Sequence, residues 1–148
     1  MSNGTVRLHR VLRAAPERIY RAFVEPRAFE RWLPPFGFTG QVHGMDPVAG
    51  GAWRMSFTNF ASGHEEFFGG RYLELVPGER VAYDAAFDNP FLPGTMKTTV
   101  TLAAVSCGTS MSVVQEGIPE VIPVEMCYLG WQESLNQLAA VVEPEIPE

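Results

Sequence analysis

The feature that most limits what this chain can fold into lies near its end. Between Pro123 and Pro144, the residues Val124, Tyr128, Trp131, Leu135, Leu138 and Val142 recur at spacings of three and four, which puts them on one face of a helix. Pro123 opens the segment, Glu125 sits in its first turn where the dipole favours a carboxylate, and Pro144 stops it. About twenty residues of helix reach roughly 30 Å. An apolar stripe of that length has to be covered, and the material that can cover it is the alternating region before it.

That region reads as consecutive strands. Trp53, Met55 and Phe57 alternate with Arg54, Ser56 and Thr58. Val81, Tyr83, Ala85 and Phe87 alternate with Ala82, Asp84, Ala86 and Asp88, and Met96, Thr98, Val100 and Leu102 line one face of a further strand. Segments 38–45, 65–76 and 111–118 complete the set. Gly69-Gly70 marks a bulge or a close backbone approach, and Pro77-Gly78-Glu79 marks a turn. Upstream, residues 5–13 form a first half-buried strand with Val6 and Leu8 inward. Pro16-Glu17 then begins a short helix carrying Ile19, Ala22 and Phe23 on its apolar face. Glu25-Pro26 breaks that helix, because a residue before proline is driven out of the helical region. A second short helix runs over 27–33 with Phe29, Trp32 and Leu33 on one side, and Pro34-Pro35 ends it. The order predicts an α+β fold in which a curved antiparallel sheet, two short helices and one long helix form a single domain over 1–148, ordered at about 5–143.

Composition bounds the function. Apolar residues are 46% and charged residues 19%, as in a globular chain, and the net charge is −6 from 11 basic and 17 acidic residues. Binding to nucleic acid requires clustered cations that displace phosphate counterions, and scattered ones do not supply it. An anionic membrane is disfavoured on the same ground, and no apolar run approaches the roughly 18 residues of a membrane span. Met1-Ser2-Asn3-Gly4 shows no secretory leader, so the expected compartment is the cytoplasm. The Asn3-Gly4-Thr5 sequon would then carry no sugar. Cys107 and Cys127 are expected to be buried, reduced thiols.

Catalytic and metal motifs do not form. His64-Glu65-Glu66-Phe67-Phe68 starts like a zinc-protease helix but has Phe68 where the second histidine ligand belongs. No nucleophile elbow, phosphate loop or dinucleotide fingerprint is present, and His9, His43, His64, Cys107 and Cys127 lack coordinating spacings. No catalytic residue, metal or cofactor is therefore assigned. Asp84 and Asp88 fall on a solvated phase. His64 with Glu66 reads as a hydrated hairpin end, the alternative being a buried acid–base pair. Which of the two faces of 111–118 looks inward stays open, so Gln115 and Glu116 are both candidates to orient a ligand. The inward face of 64–75 is equally open.

The segments 15–23, Phe29-Glu30-Arg31-Trp32, Gly50-Gly51, 70–81 and Gly130-Trp131 with Leu135 and Leu138 resemble the activator-of-Hsp90-ATPase-homologue branch of the START-like, or SRPBCC, superfamily. The resemblance implies a helix-grip fold of the Bet v 1-like kind, with a cavity between sheet and C-terminal helix. This chain departs from the family pattern at Trp32-Leu33-Pro34-Pro35, where a rigid proline pair replaces a flexible glycine. Expected to line the cavity are Trp32, Phe36, Trp53, Met55, Phe57, Phe68, Tyr83, Phe87, Met96, Tyr128 and Trp131, an apolar and aromatic set suited to a small hydrophobic ligand. Tyr83 and the indoles of Trp53 and Trp131 are its natural polar handles. Three functions fit such a domain: binding a small apolar molecule, polyketide cyclase or aromatase chemistry in the same pocket, or a co-chaperone role. Phe91-Leu92 is the expected exposed apolar patch, suited to a partner, a homodimer or a lid.

Overall fold

The computed structural model describes residues 4–147, so Asn3 of the sequon lies outside the described residues. The elements run β1 (Gly4–Leu12), α1 (Pro16–Val24), α2 (Pro26–Trp32), β2 (Phe38–Met45), β3 (Ala52–Asn59), β4 (Glu65–Val76), β5 (Arg80–Phe87), β6 (Met96–Val105), β7 (Gly108–Ile118) and α3 (Val124–Val142). Glu25 is extended (φ −106°, ψ 121°), which both closes α1 and meets the steric demand of Pro26 at the start of α2.

The seven strands form one antiparallel sheet in the order β1-β7-β6-β5-β4-β3-β2. Hairpins join neighbours from β2 onward, while α1 and α2 carry the chain from β1 at one edge to β2 at the other. This is an α+β helix-grip, with α3 lying against the concave face. Gly69 and Gly70 mark a close approach rather than a bulge: a Cβ on Gly69 would overlap the Trp53 carbonyl, and one on Gly70 the Asp84 carbonyl. The register shift between β4 and β5 falls a little further on, between Tyr72 and Glu74.

α1, α2 and the C-terminal half of α3 close one end of the grip. Trp32 is fully buried and its indole N–H donates to the Ala22 carbonyl at 2.8 Å. Its ring meets Phe23 edge-on at 4.8 Å and Phe29 at 5.5 Å. Leu135, Leu138 and Val142 of α3 are buried. Cys107 is exposed in the β6–β7 turn and Cys127 is half-buried on α3, so the expectation of two buried thiols is corrected for Cys107. Among the described residues no helix is long and apolar enough to cross a membrane.

Replacing Trp32 by alanine removes a buried indole from this aromatic cluster and leaves the Ala22 carbonyl without its donor. A destabilisation of about 3–5 kcal/mol is expected in urea unfolding. A loss below about 1 kcal/mol would mean the cluster does not anchor the grip.

Candidate functional site

From its first turn to just past its middle, α3 presents Cys127, Gly130, Trp131 and Ser134 to the sheet, one face at spacings of three and four. Apart from the indole these are small side chains, and they do not reach the concave wall. The result is a cleft of about 210 Å³. Leu33 and Pro35 after α2 bound it on one side and Ile122 before α3 on another, with Trp53, Phe57, Phe68, Tyr83, Ala85, Phe87, Met96 and Gln115 as the sheet wall.

Seven of the expected residues meet here: Trp53, Phe57, Phe68, Tyr83, Phe87, Met96 and Trp131. Four stand elsewhere. Trp32 and Met55 are wholly inaccessible and belong to the packed core. Phe36 follows the proline pair and is 56% exposed. Tyr128 turns toward β1, where its hydroxyl accepts the Arg7 backbone N–H at 3.2 Å. Gln115, one of the two candidates on 111–118, lines the cleft as well, while Leu33, Pro35, Ala85, Ile122, Cys127, Gly130 and Ser134 join the lining without having been expected there. Of these, Gly130 left a readable signal, since a glycine within a long helix is unfavourable unless something needs the space.

The polar part of the wall is a rung of the ladder. Tyr83 pairs with Thr98 across β5 and β6, and Thr98 pairs with Gln115 across β6 and β7. The Gln115 amide donates to the Thr98 hydroxyl at 3.3 Å, and its Oε1 accepts the Trp131 indole N–H at 2.9 Å. Sheet and helix are thereby joined across the cleft. The two faces of 111–118 are told apart by the same bonds: Gln115 shares the inward phase with Met111 and Val113, while Glu116 is exposed opposite Lys97 on the outer face. Two further polar donors are committed. Trp53 donates to the Asp84 carbonyl at 3.2 Å, and Ser134 to the Leu33 carbonyl at 2.6 Å.

Burial raises the Tyr83 phenol well above its ordinary value, with hydrogen bonding to Thr98 opposing, and it also raises the Cys127 thiol. Both groups stay protonated and uncharged at neutral pH.

Elsewhere the candidates are surface features. His64 and Glu66 pair at 3.0 Å at the β3–β4 hairpin end, the histidine side chain 68% exposed, and Asn89 also donates to Glu66. Asp84 accepts the Arg71 backbone N–H at 2.8 Å, and Asp88 pairs with Arg54. On the outer face Ser56 is buried between His43 and Glu65, at 2.8 and 2.9 Å. Only 1% of Ser56 is accessible, so no substrate reaches it. Among the described residues no group of histidines, cysteines and carboxylates is arranged to hold a metal. A larger depression of about 410 Å³ between α2 and β2 is an open polar groove on Arg27, Glu30 and Arg31, separate from the grip. The exposed apolar surface is also wider than Phe91-Leu92. Phe91 is exposed and Leu92 half-buried, but Phe36, Phe60, Val121, Met126 and Leu129 are exposed as well.

The family model described as activator of Hsp90 ATPase homologue 1-like protein matches residues 13–143. Among solved structures, a crystallised protein of Chromobacterium violaceum is 62% identical, with a TM-score of 0.94 over 95% of this chain and 98% of that one. An AHSA1-like protein of Aeromonas hydrophila, solved by NMR, is 16% identical with a TM-score of 0.76, covering 95% of this chain and 92% of its own. A Rhodobacter sphaeroides protein is 21% identical with a TM-score of 0.79, over 92% and 90%. These last two share the fold. No curated protein matches the chain.

The buried phenols set an alkaline limit. Tyr72, like Tyr83, is raised above its ordinary value mainly by burial. A raised pKa in the folded state contributes stability that is complete below the unfolded value of 10.0 and is lost as pH climbs above it. The native protein should therefore ionise fewer phenols near that pH than the urea-unfolded chain, read by phenolate absorbance, and its melting temperature should fall across the same range. Coincident native and unfolded titrations would contradict the placement of both rings.

Proposed function

The chain belongs to the activator of Hsp90 ATPase homologue 1-like family, and on that footing we propose that its single domain binds a small apolar or aromatic molecule in the cleft between α3 and the sheet. The observation that carries this reading is Gly130. It lies inside α3 and on the cleft, and a Cβ built there would meet nothing within 4 Å. A glycine in a helix interior costs about 0.5–1 kcal/mol relative to alanine. Neither packing nor backbone conformation asks for it at this position. Room in the cleft is what the missing methyl leaves.

The size of the space narrows the occupant. An apolar cavity of roughly 150 Å³ admits benzene, so about 210 Å³ suits a molecule of one or two rings. Pockets for drug-sized ligands begin near 300 Å³, which argues against a long lipid. Cyclase-like turnover would need an acid and a base at the wall; the amide, hydroxyl, thiol and indole groups present there support binding instead. The Hsp90 ATPase activation in the family's description would act through a protein-binding surface, whereas Gly130, the aromatic wall and the Gln115 rung converge on the interior. Free thiols, one of them exposed, suit a reducing compartment, and we assign the cytoplasm on that ground.

Gly130→Ala should raise the melting temperature by roughly 2–4 °C by relieving the helix cost. Gly130→Leu, whose side chain would enter the cleft, should weaken uptake of toluene by at least tenfold. Thermal unfolding reads the first effect; native mass spectrometry and indole N–H shifts in NMR titrations read the second, and toluene should move the Trp53 and Trp131 signals while leaving Trp32 still. If millimolar toluene moves none of them, or Gly130→Leu takes it up unchanged, the cleft is not a binding site.

A further inference from the structure

Resting on the reading of the cleft as a binding site, we infer that its ligand is a neutral aromatic molecule whose hydrogen-bond acceptor takes the free amide proton of Gln115. The donor pattern of the wall points to it. A glutamine amide carries two N–H donors. One is engaged by Thr98, and the amide oxygen is held by Trp131. The Trp53 and Ser134 donors serve backbone carbonyls. The Tyr83 hydroxyl and the weak Cys127 thiol donor also face the cleft, and beside them the second Gln115 N–H is the open amide donor of the wall, its direction fixed by the indole. A ligand oxygen or ring nitrogen placed there gains a hydrogen bond. A ligand lacking one leaves that donor unpaired in an apolar site.

Charge is excluded from both sides. Among the described residues the lining holds no lysine, arginine or histidine to neutralise an anion, and the chain carries a net −6. Burying an unpaired carboxylate against aromatic rings is strongly unfavourable. A cation would need ring faces converging on one point. Here four sheet-wall rings pack edge-on against one another, Phe57 on Phe68 at 4.7 Å, Trp53 on Tyr83 at 5.4 Å and Trp53 on Phe68 at 5.8 Å, and among the described residues no carboxylate lines the cleft to balance a cation. Tyr83 and Cys127 remain protonated, so the wall contributes no counter-charge of its own.

The test uses the full chain and four probes of equal ring size: toluene, acetophenone, benzoate and benzylammonium. Binding is followed by the indole N–H signals of Trp53 and Trp131, with Trp32, buried in the core, reporting that the fold is intact. At neutral pH acetophenone should bind at least tenfold more tightly than benzoate or benzylammonium. Gln115→Leu should weaken acetophenone by roughly three- to tenfold, the range of one neutral hydrogen bond, and leave toluene within about twofold. Gln115→Glu keeps an acceptor for Trp131 and serves where the leucine variant folds poorly; it should weaken acetophenone at least as much. The inference is overturned if acetophenone and toluene respond alike to these substitutions, or if either charged probe matches acetophenone. Should no probe bind, toluene included, the binding reading itself falls and the inference with it.

Discussion

At the end of α2 the carbonyl oxygens of Trp32, Leu33 and Pro34 are hydrogen-bonded by two side chains of α3. Gln137 donates to Trp32 at 2.9 Å and to Pro34 at 2.5 Å, and Ser134 donates to Leu33 at 2.6 Å. A helix ends with carbonyls that have no partner of their own, and Pro34-Pro35 cannot extend α2 to supply one. The long helix supplies them instead. This clamp fixes the position of α3 relative to α2, and the buried Trp32 cluster fixes α2 relative to the core. The N-terminal half of α3 is thereby held at a set distance from the sheet, whatever its own side chains fill. The cleft is the consequence: a helix bolted down at its C-terminal half over a wall that its small N-terminal residues do not reach.

Much of the architecture was legible because it rests on periodicity. The α3 stripe, the alternation in β3, β5 and β6, and the proline punctuation of α1 and α2 each arise from local chemistry that a single sequence carries. Depth is another matter. Trp53, Met55 and Phe57 share one face of β3, yet Met55 is sealed in the core while its neighbours line the cleft. Alternation assigns a face and says nothing of what lies above it. Tyr128 shows the same limit on the helix, since its place in the stripe does not say whether it faces the cleft or β1.

The residues that sequence reasoning passed over are small or loop-borne. Ser134 and Gln137 look like interruptions of an amphipathic pattern, and their role appears only when α2 ends beside them. Leu33, Pro35 and Ile122 enter through turns whose geometry is tertiary. Gly130 alone carried a local signature, an unfavourable residue in a helix with no turn or contact to justify it. Natural sequences are locally consistent except where another demand intervenes. A lone inconsistency on the wall of a cleft is therefore more informative than any one aromatic facing it.

Register decides the chemistry of that wall. Tyr83, Thr98 and Gln115 stand opposite one another because β5, β6 and β7 pair as they do, and side chains alternate with a period of two. A slip of one residue in β7 would turn Gln115 outward and bring its neighbours, Val114 and Glu116, to the inner face. An amide under Trp131 would be replaced by an apolar side chain or a carboxylate, and the neutral rung would be lost. Outside, Glu116 sits opposite Lys97, a cross-strand pair of opposite charge that favours the observed register over the slipped one. Inside, the Gln115 bonds to Thr98 and Trp131 favour it too. The same pairing thus keeps a charge on the solvated face and an uncharged donor in the cleft, so the register that stabilises the sheet also sets what the cleft can hold.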